Sequence, residues 1–253
     1  MNIKSVSAFY DNYIWLIIND TDRQVVCVDP GEAEPVLKYL KNENLLLKAI
    51  LLTHHHHDHI GGTAELLQTY PKLEVYGPAD PRIQGLTHTL KDGEVLEINS
   101  CEFQILATPG HTSTHISYYE SNYGWLFCGD TLFSAGCGRV FDGTIEELHD
   151  SLQKLKKLPD ATQVFCAHEY TQKNLRFAAR VEPDNLRIRR YAQRLLARKN
   201  PCSLPSSIGV EKEINPFFRT QVESVQAFAR LNGSKDSDSL SVFKRIRSEK
   251  DHF

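Results

Sequence analysis

The stretch LLTHHHHDHIGG, residues 51–62, carries histidine at positions 54, 55, 56, 57 and 59 and aspartate at 58. It is internal, follows the apolar run Ala49-Ile50-Leu51-Leu52 and is broken by Asp58, so it reads as part of a fold and not as an affinity tag. Crowded imidazoles repel one another when protonated and serve no packing purpose, whereas a metal ion gives them a common task. If Thr53 ends a strand, the alternate residues His54 and His56 face one side. Asp58 and His59 fall at the start of the helical run TAELLQTY, where the chain turns again. The two pairs could then serve two adjacent metals, with His55 and His57 pointing elsewhere.

Two metals need more ligands than four, and three further residues stand in like positions. His111 follows FQILATPG, Asp130 follows WLFCG and His168 follows QVFCA, each after a strand-like apolar run. Loops at strand ends commonly carry function on a rigid scaffold, so several strands could deliver ligands to one edge. Imidazole with carboxylate suits zinc, and iron or manganese stays open on ligand type alone. Asp130, with two oxygens, is the natural bridge. A lone buried histidine is more often a satisfied core group than a ligand, and that reading is kept for His88, His115, His149 and His252.

The elements that must position these residues are legible as a change of character along the chain. Up to residue 170, YIWLII, QVVCVDPG, AILLT, EVYGP, EVLEI with CEFQIL, HISYY, WLFCGD and QVFCAHE read as strands. Between them EPVLKYLKNENL, TAELLQTY and TIEELHDSLQKLKKL have helical spacing, and Thr144 with Glu147 forms a capping box for the last. From 171 to 253, TQKNLRFAARV, NLRIRRYAQRLLARK, TQVESVQAFARL and SLSVFKRIRSEK are helical, punctuated by EPDN, NPCSLPSS, INPFF and NGSKDSD. The expected organisation is a mixed α/β body over residues 1–170 and a helical domain over 171–253.

Composition bounds the function class. Apolar residues are 41% of the 253 and charged residues 24%, ordinary values for a soluble globular chain. No apolar run approaches the roughly 18 residues of a membrane span, and the N-terminus lacks a basic n-region and a small-residue cleavage site. Six scattered cysteines without a C-x-x-C pair fit a reducing cytoplasm. The net charge of −3 hides a division: residues 1–170 hold 12 Lys+Arg against 23 Asp+Glu, and residues 171–253 hold 17 against 9. Either the two parts attract each other, or the basic part offers cations to an anionic ligand. The acidic total argues against nucleic acid, and nothing reads as an oligomerisation stripe, so a monomer is expected.

The pattern T-H-x-H-x-D-H (Thr53 to His59), with PGHT (109–112), GDT (129–131) and the later His168, resembles the metallo-β-lactamase superfamily. That resemblance implies an αββα sandwich, two mixed β-sheets flanked by helices. More narrowly, GDTLFSAGCGRVFDGT, AHEYTQKNLRFAARVEPDN, INPFFR and RSEKDHF are similar to segments of the glyoxalase II (hydroxyacylglutathione hydrolase) family, essentially from end to end. It implies that His54, His56 and His111 hold one metal, that Asp58, His59 and His168 hold the other, and that Asp130 bridges them. It also implies that Arg247, Lys250, Tyr170 and the backbone around Arg139 to Phe141 bind glutathione. Arg139 stands where the family often has lysine. Phe141 stands where it often has a tyrosine, a loss of about 0.5–1.5 kcal/mol of hydrogen bonding.

By spacing alone, Arg247 and Lys250 are three apart on a helical segment, so either both heads reach one place or RSEKD is a solvated helix end with local ion pairs, and the resemblance favours the first. Glutathione carries two carboxylates, each charge-assisted bond contributing about 1.5–3 kcal/mol. The implied reaction is hydrolysis of S-(2-hydroxyacyl)glutathione, chiefly S-D-lactoylglutathione, to glutathione and D-lactate, the second step of methylglyoxal detoxification. A metal pair makes hydroxide available at neutral pH, Asp58 could orient that nucleophile, and a thiolate leaves without a strong general acid. The rivals are a persulfide dioxygenase-like enzyme with one iron, a nuclease of the superfamily, and a non-catalytic protein binding glutathione conjugates or metal.

Overall fold

The structure is a computed structural model describing residues 1–198 and 202–253. Two units fold around separate sets of contacts: residues 1–107 with 114–129, and residues 108–113 with 130–253. Within the first, β1 (Asn2–Ala8), β2 (Asn12–Asn19), β3 (Gln24–Val28), β4 (Leu46–Leu51), β5 (Glu74–Pro78) and β6 (His88–Leu90) form a six-stranded sheet in sequential order. Pairing is antiparallel from β1 to β3 and parallel from β3 to β6. Every residue of β2 is buried, the mark of a central strand covered on both faces. Parallel neighbours need crossovers, and the helical runs supply them: α1 (Ala33–Glu43) between β3 and β4, α2 (His57–Ile60) and α3 (Thr63–Thr69) between β4 and β5. Val36 and Leu40 of α1 and Leu66 of α3 pack on Leu16, Val25, Cys27 and Ile50.

Four further strands of this unit, β7 (Val95–Ile98), β8 (Cys101–Ala107), β9 (Ile116–Glu120) and β10 (Trp125–Gly129), pair antiparallel in consecutive order. Tyr118 on β9 donates its hydroxyl hydrogen to the Leu52 carbonyl at 2.7 Å, tying this sheet face to face with the first. The Ile116 N–H likewise reaches the Thr53 carbonyl at 3.0 Å. The fold is the expected α/β class of two mixed sheets with flanking helices and a helical C-terminal region.

The second unit holds the hairpin of β11 (Leu132–Phe133) and β12 (Gly136–Cys137), and the pair β13 (Gln163–Cys166) with β14 (Ser206–Ser207). Its helices are α4 (Ile145–Lys156), α5 (Thr171–Val181), α6 (Leu186–Leu196), α7 (Ile208–Ile214), α8 (Glu223–Leu231) and α9 (Ser239–Asp251). Leu175, Ala178, Ile188, Tyr191, Leu195 and Ile214 form the core between α5, α6 and α7. Helix α7 is not among the expected elements: its charged run Glu211-Lys212-Glu213 dilutes the apolar period. Ser207 caps it, accepting from the Val210 N–H at 3.2 Å. Residues 199–201, part of the expected end of α6 and of NPCSLPSS, lie outside the described residues.

The capping box at α4 is present in both directions. Thr144 Oγ1 accepts from the Glu147 N–H at 3.1 Å, and Glu147 accepts from the Thr144 N–H at 2.8 Å. Thr144→Ala is expected to cost about 1 kcal/mol in a urea titration, with the m-value unchanged. All six cysteines are buried free thiols. Among the described residues, no helix is long and apolar enough to cross a membrane.

Candidate metal centre

The chain leaves β4 at Leu51 and enters the histidine run, whose backbone is fixed by Asp29 at the end of β3. Asp29 Oδ1 accepts from the Thr53 N–H at 2.8 Å and its Oδ2 from the Thr53 hydroxyl at 2.7 Å. The same Oδ2 lies 3.0 Å from His59 Nδ1, and Thr53 Oγ1 lies 3.0 Å from His54 Nδ1. With Nδ1 engaged in both rings, each presents Nε2 for coordination, the usual way an outer partner aims a ligating imidazole. His54 Nε2 is 3.0 Å from His56 Nδ1, and His59 Nε2 is 3.6 Å from Asp58 Oδ2. Asn12 Nδ2 donates to Asp58 Oδ2 at 3.0 Å and steadies that carboxylate. Asp58 and His59 sit on the single turn α2, separate from the longer α3, where the sequence suggested one helix.

The two remaining histidines of the run go elsewhere. His57 is exposed. His55 Nδ1 lies 3.5 Å from Asp80 Oδ2, a carboxylate that the bidentate Arg82 guanidinium holds well below the usual range. His115, expected to be an ordinary core residue, is buried and stacks on His54 with ring centroids 4.8 Å apart. Gly129, at the end of β10, has a φ of +45°, and a Cβ there would lie 2.4 Å from Thr53 Oγ1 and 2.7 Å from His115 Nε2. Only glycine fits that position.

In the second unit one carboxylate stands between two imidazoles. His111 Nε2 is 3.5 Å from Asp130 Oδ2, and His168 Nε2 is 3.3 Å from Asp130 Oδ1. His111 Nδ1 donates to the Arg139 carbonyl at 2.8 Å, and the Phe141 N–H donates to the His111 carbonyl at 3.0 Å. Tyr170 stacks on His168 at 4.7 Å and an interplanar angle of 5°. Phe133 meets both rings edge-on, at 5.8 Å and 5.2 Å. Arg139 itself is largely exposed, 3.4 Å from Asp251 by its Nε. Phe141 is 64% exposed, its ring 5.1 Å from that of His111.

Arg247 is buried, and Nη1 donates to the Cys137 carbonyl at 3.0 Å and the Gly138 carbonyl at 3.3 Å. Its Nη2 donates to Asp251 at 3.0 Å. Lys250 Nζ lies 5.0 Å from the Phe177 centroid and 5.3 Å from that of Phe253, with no hydrogen-bond partner among the described residues. Burial first, then the neighbouring Arg247, brings its pKa down to about 8. The segment Cys137–Phe141 therefore joins Arg247 at one end to His111 at the other.

In each unit the donors fit divalent metal ions: imidazole nitrogens oriented through their far ring atoms, and carboxylate oxygens within 3.6 Å of them. Asp29 and Asn12 were not among the sequence candidates. Asp29 was within reach of the same rule that found the others, since it directly follows the apolar strand QVVCV. Asp29→Ala is expected to lower metal affinity roughly 10–100-fold, measured by competition with a chelator.

Residues 9–168 match the metallo-β-lactamase superfamily, and residues 169–253 match the hydroxyacylglutathione hydrolase C-terminus. A hydroxyacylglutathione hydrolase of Legionella pneumophila (strain Corby) is 56% identical over 253 residues, 100% of each chain. One of Vibrio cholerae serotype O1 (strain M66-2) is 52% identical over 258 residues, again 100% of each. Among solved structures, that of ETHE1 from Myxococcus xanthus is similar with a TM-score of 0.67 at 26% identity, over 99% of this chain and 100% of that one. The fold and the donor set define a metallohydrolase of the metallo-β-lactamase superfamily. Within it, the chain belongs to the hydroxyacylglutathione hydrolase, or glyoxalase II, family.

Proposed function

We propose that the chain hydrolyses S-(2-hydroxyacyl)glutathione, chiefly S-D-lactoylglutathione, to glutathione and a 2-hydroxy acid, D-lactate, the second step of methylglyoxal removal. His54, His56 and His111 would hold one divalent ion, Asp58, His59 and His168 the other, with Asp130 serving both. The imidazole-rich set favours zinc, and metal analysis of the purified protein distinguishes zinc from iron or manganese. When bound, the pair lowers the pKa of water to roughly 7 and polarises the thioester carbonyl. Asp58, steadied by Asn12, accepts a hydrogen bond from the attacking water and orients it. Tyr170, stacked on His168, covers that ring with an apolar face and limits access of bulk water. The leaving thiolate needs no strong acid, and with water as the attacking group no serine or cysteine nucleophile is needed.

Glutathione is held by Lys250 through a carboxylate, by Arg247 through the Cys137–Gly138 carbonyls it seats, by Tyr170 and by the backbone from Arg139 to Phe141. The observation that carries this reading is the segment Cys137–Phe141, which ties the seat of Arg247 to the orientation of His111. Substrate recognition and metal coordination thus share one piece of backbone. The catalytic part spans 1–170 and the substrate-binding part 171–253, and the six free thiols fit a cytoplasmic site of action. The test compares hydrolysis of S-D-lactoylglutathione with that of the same acyl group on a thiol lacking the glutathione carboxylates. Fast turnover of the glutathione thioester alone supports the full reading. Equal turnover of both removes the glutathione assignment, and none with metal bound returns the question to the persulfide or binding-protein alternatives.

A further inference from the structure

Residues 9–11 join β1 to β2 in a three-residue loop, closed by the pairing of Ala8 with Asn12. A hairpin loop this short ordinarily places glycine or asparagine at its positive-φ positions. Here Phe9 occupies the left-handed region at a φ of +47°, an outlier for a bulky side chain. Its N–H donates to Glu32 Oε2 at 2.6 Å, which holds it there. Such strain persists only where the surroundings over-determine it, and it gathers at functional sites.

The strained loop presents two aromatic rings that the core does not use. Phe9 is 49% exposed and Tyr10 is 100% exposed, in a chain whose other phenylalanines and tyrosines mostly pack inside. The loop also borders a proposed metal ligand. Asn12, its closing residue, donates to both the carboxylate of Asp58 and, at 3.4 Å, the Asp58 carbonyl. Gly31 lies between: a Cβ there would be 2.0 Å from the Asp58 carbonyl oxygen and 2.7 Å from Phe9 Cε2. The Phe9 ring and the Asp58 backbone therefore both close on the same side-chain-free position. The ring thus borders the backbone of a proposed ligand, and an apolar substituent of an acyl group held there gains by covering it.

We infer that Phe9 and Tyr10 form an acyl-recognising rim, which raises turnover of 2-hydroxyacyl thioesters bearing an apolar or aromatic substituent, measured beside the lactoyl thioester, relative to a site without the two rings. This rests on the thioesterase reading above. It also gives the strain at Phe9 a use, since it aims an aromatic side chain that an unstrained turn would direct elsewhere.

The experiment measures kcat/KM of the metal-loaded full chain for S-mandeloylglutathione and S-D-lactoylglutathione, in wild type, Tyr10→Ala and Phe9→Ala. Tyr10 has no core contacts to lose, so Tyr10→Ala reads the rim even if Phe9→Ala disturbs the loop. Metal content and thermal midpoint are recorded for each. The expected result is a mandeloyl-to-lactoyl ratio lowered roughly tenfold, the scale of a lost apolar contact in substrate discrimination, with metal content unchanged. Wild-type turnover of both thioesters with an unchanged ratio in the variants overturns the rim and leaves the hydrolase standing. Wild-type turnover of neither overturns the hydrolase and the rim together.

Discussion

His56→Ala is expected to lose a metal equivalent and at least about 100-fold in turnover of S-D-lactoylglutathione, while its neighbour variant His57→Ala keeps both. The magnitude is a lower bound: removing an outer partner of a ligand already costs 10–100-fold in affinity or activity, and His56 is assigned to the inner set. Geometry separates the neighbours. His56 Nδ1 stands 3.0 Å from His54 Nε2, close enough for both nitrogens to share one metal ion. His57 is exposed at the first position of α2 and contributes backbone to that turn. His55→Ala belongs with His57→Ala on metal content, since its ring faces the anionic Asp80 at 3.5 Å. Metal analysis of the three variants, alongside turnover, checks the assignment. Equal losses from His56→Ala and His57→Ala would mean that the ligand register is displaced by one residue.

The proposed register rests on the alternation of side chains along a strand. After the apolar run Ala49 to Leu52, the following positions sort into one side and the other. The same logic placed His111, Asp130 and His168 at strand ends. Most strands and the longer helices were likewise readable from period and punctuation. Helix α7 was not, because seven residues with three consecutive charges leave little periodic signal. The outer partners escaped for a different reason. Asp29 meets His59 across 30 positions of sequence, and Asn12 meets Asp58 across 46, so neither pairing has a local signature. Arg247 shows the limit from the other side. Its spacing from Lys250 suggested two cations aimed at one anion, yet the structure commits Nη1 to two backbone carbonyls and Nη2 to Asp251. A sequence displays the charge of a side chain but not the partners that already occupy it.

That difference makes Lys250 the better probe of glutathione binding. Lys250→Ala is expected to raise KM for S-D-lactoylglutathione roughly 10- to 150-fold with kcat little changed, the span of a lost charge-assisted bond of about 1.5–3 kcal/mol. A contact made equally in ground and transition states alters KM alone. Arg247→Ala should instead lower kcat as well, because the carbonyls it holds belong to the segment that orients His111. The pH dependence supplies an independent check. Burial brings Lys250 down from 10.5 to about 8, so its ammonium is charged below that pH and neutral above it. In wild type KM should therefore rise as pH passes upward through about 8, and in Lys250→Ala that rise should vanish. Stability moves opposite to affinity. With the folded pKa below the unfolded one, the unfolded chain binds more protons between about 8 and 10.5, and this lysine's contribution to stability increases with pH across that window. A weakening of binding that tracked general unfolding would run against this sign. A KM and a denaturation midpoint that both rise with pH, affinity falling while stability grows, and both rises abolished by the one substitution, would identify Lys250 as the cation that meets the substrate.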